Sequence, residues 1–260
     1  MAIVGDKLWL WSHVAGSYNK AGYQLPGLSH MSAAEGARHM GLRNAVMVKF
    51  ADRPQPPFDG EAASLRSLDR TVWSVVGDST SSVVNVQTDL DAVMELASRF
   101  PNIGAAVMDD FKPERVPLET VRNIRDALHT APRPLDLWIV VYFHLLNEKY
   151  RLFIELCDVV TVWTWQAEWL PDLEKNLQKI EAITNGAKRI MLGCYMYDFG
   201  NKRPITQSQM QTQCEQGLMW LRQRRIHGMI FVSSSICDLN LDAVHWTRSW
   251  IQRVAPLEIN

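Results

Sequence analysis

Cysteine is scarce. The four present, Cys157, Cys194, Cys214 and Cys237, form no CxxC pair and carry no zinc-site spacing. Scattered thiols of this kind fit a reducing compartment better than a disulfide scaffold. An excess of one charge is also missing: the net charge is −1 and no basic tract runs through the chain. That argues against nucleic acid as a partner, because phosphate binding needs clustered Lys and Arg. The short Arg222, Arg224, Arg225 group reads as a solvated helix end. No stretch approaches the roughly 18 apolar residues of a membrane span. The opening residues, Met1 to Lys7, lack the basic and apolar regions of a signal peptide. The expectation is a soluble cytoplasmic protein with no membrane partner. A G-x-S-x-G elbow is absent around Ser233 and Cys237, which disfavours a nucleophilic serine or cysteine. Cys194 reads as a small buried hydrophobe. Nothing in these patterns calls for a cofactor.

What the sequence does have is a regular alternation. Apolar runs at Leu8–Trp11, Asn44–Lys49, Thr71–Val76, Ile103–Met108, Leu137–Tyr142, Val159–Trp163, Arg189–Cys194 and Gly228–Val232 read as strands. Between them lie helix-period segments: Ser32–Met40, Glu61–Ser67, Asp89–Phe100, Leu118–His129, Lys149–Glu155, a segment through Leu170, Leu173, Leu177 and Ile180, Thr206–Arg224 and Leu241–Val254. Strands such as Val159-Val160-Thr161-Val162 are apolar throughout, as parallel strands buried on both faces are. Eight such pairs in 260 residues predict a single (β/α)8 barrel, a TIM barrel, with one domain over residues 1–260. The competing open doubly wound sheet usually has a glycine-rich phosphate turn after its first strand. Here Trp9-Leu10-Trp11-Ser12-His13 stands in that place.

In this architecture chemistry gathers at the carboxyl ends of the strands. Strand one ends in Trp9, Trp11 and His13, strand two in Lys49 and Phe50, and strand three carries Trp73 with Asp78 beyond it. Strand four ends in Asp109-Asp110, a paired carboxylate directly after an apolar run. Strand five offers Trp138, Tyr142 and His144, and strand six Trp163, Trp165, Gln166 and Glu168. Strand seven gives Tyr195, Tyr197 and Asp198. Consecutive strand residues point to opposite faces, so one of the two aspartates is expected to face the barrel axis. Continuing Ala106 and Met108 favours Asp110, and a bulge would reverse that parity. The ten tryptophans are many for this length. Flat rings at the strand ends suit the apolar faces of sugars, with Asp, His, Lys and Tyr for the hydroxyls. A glycosidase needs two carboxyl groups beside the scissile bond. Asp109 or Asp110 supplies one, and Asp198 or Glu168 the other.

The segment Cys194-Tyr195-Met196-Tyr197-Asp198-Phe199-Gly200 resembles the Met-x-Tyr-Asp strand end of chitinase-type glycoside hydrolases. In those barrels the Tyr and Asp contact the sugar near the scissile bond. The resemblance extends that role to Tyr197 and Asp198, and a strand-four acid role to Asp110. The motif falls on strand seven here instead of six, and the DxxDxDxE run of that family is absent. Together Val107–Phe111, Val162–Trp165 and Gly193–Gly200 resemble an uncharacterised bacterial barrel family grouped with glycoside hydrolases, which implies a carbohydrate or glycoside as the small-molecule partner. Two other readings stay open. One is a metal-dependent sugar isomerase or lyase using Asp109 or Asp110 with His144, Glu168 and Asp198. The other is a barrel that binds carbohydrate without turning it over.

Overall fold

The computed structural model describes residues 2–82 and 85–259. Eight parallel strands form a closed barrel: β1 (Leu8–Ser12), β2 (Asn44–Met47), β3 (Arg70–Val76), β4 (Ile103–Met108), β5 (Asp136–Tyr142), β6 (Val159–Trp163), β7 (Arg189–Tyr195) and β8 (Gly228–Val232). Each pairs with the next, and β8 closes on β1 through Trp9↔Ile230 and Trp11↔Val232. The helices alternate with them: α1 (Ala33–Met40), α2 (Asp59–Leu65), α3 (Val86–Arg99), α4 (Leu118–Thr130), α5 (Glu148–Leu156), α6 (Leu173–Thr184), α7 (Gln207–Arg222) and α8 (Asp242–Val254). This is the (β/α)8 barrel expected from the alternation.

The chain writes its own helix boundaries. At α1, the Ser32 hydroxyl accepts from the Glu35 N–H while the Glu35 carboxylate accepts from the Ser32 N–H, a reciprocal capping box. The helix ends at Gly41, whose φ of 70° needs a residue without a Cβ. Thr206 and Gln209 repeat the box at α7. Several boundaries differ from expectation, chiefly at two helices. α2 starts and ends two residues early, and α3 begins three residues before Asp89. Asp89 is therefore in the first turn of α3, where its carboxylate meets Lys49 instead of capping the helix. A two-stranded antiparallel pair, Ala2–Ile3 with Glu258–Ile259, joins the ends of the described chain; its two-residue strands are too short to read from periodicity.

Register fixes what fills the barrel, since residues paired across parallel strands share a face. Trp9, Trp11, Val107, Trp138, Thr161, Trp163 and Ile230 belong to one inward set. Trp9 meets Trp138 edge-on at 5.2 Å, and Trp11 meets Trp163 at 5.1 Å. Gly193 lies in the same set, and a Cβ there would stand 1.9 Å from the Trp163 ring. The glycine makes room for the tryptophan.

Candidate active site

A cavity of about 270 Å³ opens at the carboxyl ends of the strands, and every strand or the loop after it contributes to its lining. Eleven of the residues named at the strand ends from sequence line it: Trp11, His13, Phe50, Asp78, Asp109, Asp110, Tyr142, His144, Trp163, Trp165 and Tyr195.

The two aspartates carry its charge. Val72↔Ala105 and Ser74↔Val107 place Ala105, Val107 and then Asp109 on the inward face, so Asp109 and not Asp110 continues toward the barrel axis. The expected parity is corrected by register: β4 skips Gly104 where Thr71↔Ile103 gives way to Val72↔Ala105. Asp110 reaches the cavity by another route. Its φ of 39° lies in the left-handed region that Asp tolerates better than most residues, and it turns the chain out of the strand. Strand alternation would send two consecutive side chains to opposite faces; this turn brings both carboxyls to one wall.

Asp109 is 6% exposed. Burial pushes its carboxyl well above the ordinary carboxylate range, and the neighbouring Asp110 charge adds to the rise. The Asp110 backbone N–H, donating to Asp109 Oδ1 at 2.7 Å, works against it. Asp110 accepts at both oxygens, from the Tyr142 hydroxyl at 2.6 Å and from the Ser79 N–H at 3.0 Å. Burial raises the Tyr142 and Tyr195 hydroxyls well above the usual phenol range, so both are neutral donors. Asp78, a third carboxylate at the cavity, accepts from the Ala51 and Thr80 N–H groups and from the Thr80 and Ser81 hydroxyls. Its oxygens are committed to holding the loop after β3.

On the opposite wall stands His13. Burial pushes its imidazole down to about 3, against the opposing pull of Asp78, so it is neutral at ordinary pH. Its Nε2 lies 3.4 Å from the Tyr18 hydroxyl, and its Nδ1 has no hydrogen-bond partner among the described residues. A buried polar atom without a partner is uncommon, and this one is shut away from solvent.

Eight of the expected residues are elsewhere, among them Trp138, which meets Trp9 inside the barrel. Trp9 is at the opposite end of the barrel, under the Arg70 guanidinium at 4.9 Å. Lys49 lies on the outward face of its strand and is buried against Asp89, Nζ to Oδ2 at 2.6 Å. Trp73 also points outward and packs on Phe58. Gln166 reaches Asn201. The Tyr197 hydroxyl donates to the carbonyls of Tyr23 and Gln24. Asp198, 1% exposed, accepts from the Asn201 N–H and side chain and pairs with Arg203, so it holds a turn. Glu168 is exposed and loosely faces Arg203 at 3.9 Å. Outward-facing parity takes Lys49 and Trp73 from the cavity, and local loop and turn contacts claim Tyr197 and Asp198.

Sequence reasoning missed Tyr18, Tyr23, Lys112 and Phe199 as wall residues, and Ser79 and Thr80 beside Asp78 in a loop that touches the acids. One signal for the two tyrosines was available. The connection from β1 to α1 runs about 20 residues, and irregular loops longer than about 12–15 residues are usually functional. Among the described residues no three His, Cys, Asp or Glu side chains are grouped as a metal shell. No helix of the described residues is long and apolar enough to cross a membrane.

No protein-family model matches the sequence, and no curated protein matches it. Solved structures do resemble it. The β-galactosidase of the psychrophilic Marinomonas ef1 aligns over 95% of this chain and 59% of its own, at 10% identity and a TM-score of 0.63. The GH99 endo-α-mannosidase of Bacteroides thetaiotaomicron aligns over 96% and 97%, at 9% identity and 0.60. The tryptophan synthase A-subunit of Pyrococcus furiosus aligns over 98% and 99%, at 8% identity and 0.54. At such identities, across a hydrolase of galactosides, one of mannosides and a synthase subunit, what this chain shares with all three is the (β/α)8 barrel.

Proposed function

We propose that this protein is a glycoside hydrolase-type enzyme that cleaves a glycosidic bond with the Asp109–Asp110 pair. The observation that carries the reading is a buried carboxyl held above its ordinary range, beside a second carboxyl, in an aromatic-walled cavity at the catalytic face of the barrel. An acid that remains protonated near neutral pH is what protonation of a leaving alcohol requires. Asp109 delivers its proton to the glycosidic oxygen. Asp110, fixed by Tyr142 and Ser79, sets negative charge beside the oxocarbenium-like carbon as the bond lengthens; a water then bonds to that carbon and gives its proton back to the Asp109 carboxylate.

The two carboxyls share one strand end, so they act from one wall and do not clasp the ring from opposite faces. The sugar stacks on the aromatic side chains of the remaining walls, chiefly Trp165, Tyr23 and Phe199. The likeness to solved glycosidase barrels is in keeping with this reading without selecting it. The metal-dependent alternative has less support, because of its expected ligands Glu168 is exposed beside Arg203 and Asp198 is bonded into a turn.

The test is a panel of 4-methylumbelliferyl, alkyl and 2,4-dinitrophenyl glycosides with the wild type, Asp109→Asn and Asp110→Asn. Loss of an acid harms basic leaving groups most. Asp109→Asn should lose about 10²–10⁴-fold in kcat/KM on alkyl glycosides and far less on the dinitrophenyl substrates. Absence of turnover by the wild type across the panel, or unchanged rates in both variants, sinks the reading.

A further inference from the structure

The walls of the cavity are unequal. Ring contacts run without a break from the end of β2 round to β5. Phe50 meets Tyr18 at 5.1 Å, Tyr18 meets Phe199 at 5.4 Å, Phe199 lies parallel to Trp165 at 6.5 Å, and Trp165 meets Tyr142 at 5.8 Å. Tyr23 thickens this fence, 4.9 Å from Phe199, and the Tyr197 hydroxyl pins the Tyr23 carbonyl at 3.0 Å from behind. Below, Trp163, Val140 and Val232 close the floor. The fence is interrupted between β3 and β4, where Ser79, Thr80 and Lys112 are exposed and no ring of the described residues stands. Asp109 and Asp110 occupy that gap.

We infer that the cavity is a blind pit for a single terminal sugar, whose leaving group departs across the β3–β4 rim, so that the enzyme is exo-acting. The inference rests on the hydrolase reading and specifies its substrate class. A polymer threading an endo-acting site needs an entrance and an exit on either side of the acids. Here one side is a wall of packed rings and the other is open. A volume of 270 Å³ lies just below the range of about 300–1,000 Å³ that holds drug-sized ligands, which leaves room for about one ring. The proton donor stands where the closed half meets the open half, the place where the bond between a terminal ring and its leaving group would lie.

The experiment compares 4-methylumbelliferyl glycosides of single sugars with end-labelled tetrasaccharides of the same sugars, free or capped with a ketal at the non-reducing end. The expected result is release of one sugar at a time from the free form, with the capped form cut at least about 100-fold more slowly. Tyr23→Ala, which removes a half-buried ring from the fence, should narrow that ratio by admitting the cap. Internal fragments as first products, or equal rates on capped and free forms, overturn the inference while leaving the hydrolase reading standing. If neither the fluorogenic glycosides nor the tetrasaccharides are cut, the hydrolase reading falls and the inference falls with it.

Discussion

Lowering the pH should destabilise this protein through His13 in a way that can be isolated. The imidazole is 1% exposed and pushed down to about 3 from an ordinary value near 6.5. In the unfolded chain it takes up a proton as the pH falls through 6.5, while in the folded protein it does not until about 3. The unfolded state therefore binds more protons in that window, and stability present above 6.5 is lost progressively toward 3. At about 1.4 kcal/mol for each pKa unit, the part of the window between pH 7 and pH 4 amounts to a loss of about 3 kcal/mol. His13→Phe keeps a ring of similar size among Tyr18 and Phe50 and cannot titrate. Urea unfolding at pH 4, 5, 6 and 7 yields the stability of each form by linear extrapolation. Every other titrating group is common to both proteins and cancels in the difference. The wild type should lose about 3 kcal/mol more than His13→Phe from pH 7 to pH 4. Parallel pH profiles would refute the argument, because they would mean that His13 is protonated inside the fold or is not enclosed by it.

Three further outcomes follow from packing and pairing. Gly193→Ala drives a methyl into the Trp163 ring and should cost at least about 1–3 kcal/mol in urea unfolding, with loss of activity as Trp163 is displaced from the cavity floor. Lys49→Met leaves Asp89 buried and alone, so stability should fall by about 3–5 kcal/mol while KM for an aryl glycoside stays unchanged; Lys49→Met with Asp89→Leu should recover most of the loss. A raised KM in the double variant would return Lys49 to the sugar site. Tyr197→Phe removes the donor that holds the Tyr23 and Gln24 carbonyls, and a several-fold rise in KM with little change in kcat is expected from steady-state kinetics.

The barrel was legible because its signal is repeated eight times, and eight consistent periods outweigh a misplaced helix start. The cavity lining was legible where strand phase alone decides it. Trp11, His13, Tyr142, Trp163, Trp165 and Tyr195 follow from counting inward positions. Counting failed where a local backbone choice intervened. One skipped residue in β4 shifts the inward phase onto Asp109, and one left-handed residue returns Asp110 to the same cavity. Lys49 and Trp73 sit at strand-end positions but on the outward phase, where helices claim them. Tyr197 and Asp198 belong to the motif that resembles a chitinase-type strand end, yet the chain uses them to fix a loop and a turn. Tyr18 and Tyr23 come from a long irregular loop, and no periodicity predicts how such a loop folds back over the strands.

The proton on Asp109 underlies the proposed chemistry, and it can be observed without any substrate. Carbon-13 NMR of selectively labelled aspartate, with Asp109→Asn to assign the resonance, follows that one carboxyl through a pH titration. The expected result is a carboxyl whose midpoint lies well above the ordinary carboxylate range, coinciding with the alkaline limb of any hydrolytic pH profile. A resonance that titrates near 4, as an exposed aspartate does, would contradict the assignment of Asp109 as the acid.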